Sequence, residues 1–154
     1  MNETLLRKAV YNYNVATMIY NSMGDDEAYL NYIGYHLQQA VELAMKYMLE
    51  KSPVEPPKTH DIDQLIRVAN ENGVNLQTTD YIREHSEMFS MWEAKTRYVL
   101  DYRLEMSKID AAMDGVGEYL DQIEKTENGQ NSDMDQPLGA HRPDENMDGS
   151  NSKS

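Results

Sequence analysis

The chain has no cysteine among its 154 residues, which removes disulfide frameworks, thiolate nucleophiles and the commonest structural zinc sites in one step. Packing alone has to hold the fold. Phenylalanine and tryptophan occur once each, against 11 Met and 11 Tyr, so the core is expected to be filled by flexible thioethers and by rings with a polar tip. No apolar run approaches the roughly 20 residues of a membrane-spanning helix. Met1 to Arg7 runs directly into an amphipathic pattern, with no charged-then-apolar leader, and a cytoplasmic location without membrane contact is the expectation. Basic residues are scarce as well: 14 Lys and Arg face 27 Asp and Glu, a formal net charge of −13. Nonspecific nucleic-acid binding is therefore disfavoured, because phosphate neutralisation by Lys and Arg supplies most of that affinity. Any RNA contact would have to be local.

What is present is enough to fold. The hydrophobic fraction of 40% and the charged fraction of 27% are those of a globular protein, and the length suits one domain plus an appendage. Leu6, Ala9, Tyr13, Ala16 and Tyr20 recur at three- and four-residue spacing, which predicts a first helix ending near Met23 and Gly24. Asp25 and Asp26 offer an N-cap for a second helix running to about Lys51, with Leu30, Ile33, Leu37, Ala40, Val41, Ala44 and Met48 as its apolar stripe. Pro53, Pro56 and Pro57 then force a stiff connecting loop.

Asp61 with Gln64 three residues on has the form of a capping box, opening a third helix that carries Ile62, Leu65, Ile66 and Ala69 up to Asn72-Gly73. Thr78 or Thr79 caps a fourth, bearing Ile82, Phe89 and Trp92, whose far end falls somewhere around Arg97 to Arg103. Ser107 precedes a fifth with Ile109, Ala112, Val116, Leu120 and Ile123 on one side. Its Gly115 and Gly117 each cost roughly 1 kcal/mol relative to Ala, and helical glycines of this kind permit close packing. The pattern predicts an all-α, up-and-down antiparallel bundle of about five helices over residues 1–126. From 127 to 154 the composition turns to Asn, Asp, Gly, Ser and Pro, an expected disordered acidic tail.

Most catalytic signatures are missing. A di-iron bundle needs Glu-x-x-His pairs, so that both ligands project from one helix face, and the chain has none. Zinc-protease spacing, phosphate-cradling glycine motifs and a Gly-x-Ser-x-Gly elbow are absent too, so neither metal nor cofactor is expected. The polar positions of the second helix say more, because Gln38, Glu42 and Lys46 stand four apart and form one ladder beside the apolar stripe. Two roles fit that ladder. One is a solvated face, on which a Glu42–Lys46 pair adds only about 0.3 to 0.5 kcal/mol, and the other is the wall of a site.

The run His36-Leu37-Gln38-Gln39-Ala40-Val41-Glu42-Leu43-Ala44-Met45-Lys46 resembles the Gln-Ala-x-Glu-x-x-x-Lys helix of HEPN domains. Lys58-Thr59-His60-Asp61-Ile62 with Leu65 is similar to that family's Thr-His-Asp start of the next helix, and Thr96-Arg97-Tyr98 to its Arg-Tyr element before the last. The three occur in the family's order over roughly residues 1 to 126. The resemblance implies a compact bundle, usually a homodimer. Many members are RNases of toxin–antitoxin systems that use an Arg with a His four to six residues beyond it, while others bind nucleotides or partners and are often encoded beside a small nucleotidyltransferase.

Only His36, His60, His85 and His141 are available for such a pair. Arg97 matches the family's arginine, but Tyr102 and Arg103 occupy the positions where His would complete the motif. A phenol that titrates near 10 is a poor replacement for an imidazole that trades protons near neutrality. The expectation is thus a non-catalytic HEPN protein that binds a nucleotide or a partner, an RNase toxin with a degenerate site and a purely structural interaction bundle being the alternatives. The binding candidates are Arg97, which suits a phosphate, Tyr98 and Tyr102, which suit stacking or a phosphate contact, and Gln39, Glu42, Lys46 and His60. Against this, Arg97 could simply pair with a carboxylate such as Glu42, and His60 could fix its local turn.

Overall fold

A computed structural model describes residues 4–130. Among these residues there is no strand, and the chain forms α1 (Leu5–Ser22), a 3-10 turn (Glu27–Tyr29), α2 (Leu30–Lys51), α3 (Ile62–Glu71), α4 (Asp80–Glu84), α5 (Ser86–Tyr98) and α6 (Met106–Gln130). This is the expected all-α bundle, with one more α-helix than the pattern predicts. The fourth expected helix is two, α4 and α5, because His85 leaves helical geometry (ψ 16°). Its ring stacks on Tyr81 with centroids 4.1 Å apart, and its Nδ1 lies 2.8 Å from the Tyr81 carbonyl. Burial raises the Tyr81 phenol to about 12.

The helix ends follow local chemistry closely. Thr4 Oγ1 accepts the Arg7 N–H and starts α1, and Gly24 takes a left-handed φ of 62° just beyond it. Asp26 does cap, but what it caps is the 3-10 turn, through the Ala28 N–H; α2 follows only from Leu30. Asp61 Oδ1 accepts the N–H groups of Asp63 and Gln64 at the start of α3, as its spacing predicts. α6 begins at Met106 and runs through residues 127–130, four past the boundary expected at 126. An established helix adds residues without a new nucleation cost, even through a composition too weak to start one. The remainder of the expected acidic tail lies outside the described residues.

Packing centres on α2. Leu30, Ile33, Leu37, Ala40, Val41, Ala44, Met45 and Leu49 are fully buried, with α1 on one flank and α5 on another. Close approach of α5 depends on Gly34: a Cβ there would lie 3.2 Å from the Trp92 ring and collide with the Leu104 side chain. The loop after α5 is pinned to the start of α2 by one side chain, since Asn31 donates to the Tyr102 carbonyl (2.7 Å) and accepts the Leu104 N–H (3.1 Å). On α6, Gly115 accommodates the Tyr81 ring and Gly117 the Tyr13 hydroxyl, so both glycines mark close contacts.

Candidate functional site

The Gln38-Glu42-Lys46 ladder is not a solvated face. Gln38 is wholly buried and Glu42 only 3% exposed, because the start of α3 closes over that side of α2. A carboxylate at such a depth needs several donors, and four side chains converge on it. Gln38 Nε2 donates to Glu42 Oε1 at 3.0 Å and to the His60 carbonyl at 3.2 Å. Gln39 Nε2 donates to Gln38 Oε1 at 2.7 Å and approaches Glu42 Oε1 at 3.5 Å. Lys46 Nζ reaches Oε2 at 2.9 Å, and His60 Nδ1 lies 3.0 and 3.2 Å from the two oxygens. Glu42 is thus the hub of a bonded cluster joining α2 to the chain that enters α3.

The imidazole of His60 leads outward from this hub. Its side chain is 55% exposed, and its Nε2 lies 3.9 Å from Oε2 of Glu93 on α5. Glu93 in turn sits one helical turn before Arg97, with Oε2 3.0 Å from a guanidinium nitrogen. That contact has ion-pair distance without hydrogen-bond alignment, and Oε2 is buried with no hydrogen bond at all.

Arg97 is the exposed end of the chain of contacts. Its guanidinium donates to the Tyr98 hydroxyl and stands 4.8 Å from the Tyr98 ring centroid and 5.5 Å from that of Tyr35, within range for attraction to both π-faces. Desolvation works to lower the Arg97 pKa, but the Glu93 charge, with Tyr98 and Tyr35, more than offsets it and the value ends above the ordinary one. The group stays cationic throughout.

The candidate residues therefore separate. Gln39, Glu42, Lys46 and His60 form one cluster, and Arg97 with Tyr98 joins it through Glu93. The arginine's ion pair is with Glu93, on its own helix, and not with Glu42. Tyr102 goes elsewhere: its ring lies 6.0 Å below the Lys95 ammonium and lines a cavity of about 590 Å³ with Met88, Met91, Trp92 and Leu104, where burial raises its pKa. Glu93 and Tyr35 were not among the sequence candidates for the site. The four-residue spacing of Glu93 and Arg97 was the available signal for the first of them. No group of three or more potential metal ligands occurs among the described residues, and no helix there is long and apolar enough to cross a membrane.

Three sequence elements and one all-helical bundle now point the same way, and the HEPN domain family model matches residues 3–125. The chain belongs to the HEPN family. No curated protein and no solved structure matches it. In this HEPN protein the Gln-Ala-x-Glu-x-x-x-Lys signature has a physical meaning. Its Gln39, Glu42 and Lys46 belong to the same hydrogen-bonded cluster as the histidine of Thr59-His60-Asp61, so two motifs separated in the chain are one structural unit.

Proposed function

We propose that this HEPN protein is a non-catalytic binding module that takes a nucleotide phosphate or a partner protein at Arg97. The observation that carries the reading is the placement of the guanidinium: it is at the surface, paired by one carboxylate outside hydrogen-bond alignment, and flanked by the Tyr35 and Tyr98 rings. A guanidinium with N–H groups to spare binds oxyanions bidentately, and an adjacent ring gives a base something to stack on. Loss of the histidine beyond Arg97 supports a binding role over cleavage. Homodimer formation and pairing with a nucleotidyltransferase are part of this proposal, resting on the family resemblance. Isothermal titration with ATP and GTP is the direct test, with Arg97→Ala expected to lower affinity at least tenfold. Absence of binding, together with absence of any partner that co-purifies from the native host, would overturn the reading.

One observation favours the enzymatic rival. The structure brings His60, from outside the expected motif, to within one carboxylate of Arg97. Cleavage of RNA by the wild type that disappears in Arg97→Ala would replace binding with catalysis.

A further inference from the structure

Nε2 of His60 and Oε2 of Glu93 face each other at 3.9 Å, beyond hydrogen-bond distance. Carboxylates only accept hydrogen bonds, so the contacts of 3.0 and 3.2 Å from His60 Nδ1 to both oxygens of Glu42 assign the N–H of the neutral imidazole to Nδ1. A neutral imidazole has one N–H. In that neutral form Nε2 carries a lone pair, 3.9 Å from an oxygen of Glu93 that is buried and has no hydrogen bond. Glu93 has a side chain 8% exposed, and the adjacent Arg97 is what balances its charge.

We propose that an oxyanion binding to Arg97 drives uptake of a proton at Nε2 of His60, so that Glu93 passes from the arginine to an imidazolium. The proposal rests on Arg97 being the anion-binding group. A phosphate that draws the guanidinium toward itself leaves a buried carboxylate without its cation, which is strongly unfavourable. A proton from solvent on Nε2 corrects this. The imidazolium then donates from Nδ1 to Glu42 and, as Nε2 closes its 3.9 Å separation, to Glu93; the one covalent bond formed is the new N–H. The charged groups around His60 are Glu42 and Lys46 from α2, Glu93 and Arg97 from α5, and its neighbour Asp61. Lys46 already pairs with Glu42, and Asp61 accepts the N–H groups of Asp63 and Gln64 in its cap. Glu93 is the acceptor left over. Ligand occupancy at α5 would in this way tighten the junction between α5, the start of α3 and α2.

The first test needs no ligand. Arg97→Gln removes the cation, and ¹⁵N-edited NMR of the His60 ring, assigned with His60→Gln, reports its protonation at slightly alkaline pH. The wild type should show a neutral ring with hydrogen on Nδ1, Arg97→Gln should move it toward the doubly protonated form, and Arg97→Gln/Glu93→Gln should return it to neutral. A wild-type ring with hydrogen on Nε2, or a ring unchanged by Arg97→Gln, overturns the inference. The second test titrates ATP, GTP and inorganic phosphate in buffers of different ionisation enthalpy, expecting uptake of about one proton per anion bound. Uptake that persists in His60→Gln would place the proton on Glu93 and overturn the assignment. If none of the three anions binds while Arg97→Gln still protonates His60, the anion-driven uptake is overturned along with the anion-binding reading, and only the coupling of Arg97 to His60 through Glu93 survives.

Discussion

The two halves of the site solve the same problem differently. On α2, Glu42 is buried and its oxygens are met by Gln38, Lys46 and His60. On α5, Glu93 is nearly as buried, yet one of its oxygens has no hydrogen bond and lies against a solvent-facing arginine. A buried charge with all its partners behaves as a structural joint, because each donor removed exposes the others to an uncompensated carboxylate. A buried charge with one loose partner is poised for exchange. The contrast predicts that α2 substitutions act on stability and α5 substitutions on binding.

The largest stability effect should follow Glu42→Ala. It strands the buried Gln38 amide and removes the common acceptor of Lys46 and His60, at a cost of about 3 kcal/mol. Urea unfolding should show a lower midpoint with an unchanged slope. A loss within about 0.5 kcal/mol, the size of an exposed helical pair, would show that the cluster is not a joint.

Next is the spacing between the halves. Gly34→Val places methyl groups against Leu104 and the Trp92 ring, and overpacking of this kind costs about 2 kcal/mol. It also pushes α5 from α2, so anion binding at Arg97 and proton uptake at His60 should uncouple in it. The same denaturation experiment, followed by the buffer-dependent titration, checks both effects.

A smaller effect belongs to His36, which stands on α2 away from the joint with Nδ1 2.8 Å from the Asn12 side chain. Burial lowers its pKa below the ordinary 6.5, so the folded state binds fewer protons than the unfolded chain once the pH falls below that value. Its contribution is therefore present above 6.5 and is lost as the pH drops through the depressed folded value. Unfolding free energies measured on both sides of that window should converge for His36→Asn and the wild type at high pH, and diverge in favour of His36→Asn at low pH.

How much of this could be seen in the sequence depends on the range of the interaction. Asp61 as a cap and Gly24 as a stop follow from neighbours a few residues away, and the structure has both. The four-residue spacing of Gln38, Glu42 and Lys46 was equally plain, but their burial was not. It depends on His60 and the start of α3 folding over α2, which no local pattern reports. His85 escaped for a related reason: Ile82, Phe89 and Trp92 are spaced by seven and three, so the apolar period continues across the break while the backbone does not. Glu93 was overlooked because its partners come from two elements.

The smallest stability effect, and the one that decides the comparison, is Arg97→Ala. The arginine side chain is 37% exposed and its ion pair spans one helical turn, so its direct contribution to folding should stay below about 1 kcal/mol. Glu93 would be left without its cation, but Nε2 of His60 stands 3.9 Å from its oxygen as a second partner. Urea unfolding of Arg97→Ala should therefore track the wild type within that margin, well short of the loss in Glu42→Ala. Titration with ATP or GTP in the same variant should show the binding loss already described. If Arg97→Ala instead unfolds as readily as Glu42→Ala, Arg97 is part of the joint, and the division into a structural half and a binding half fails.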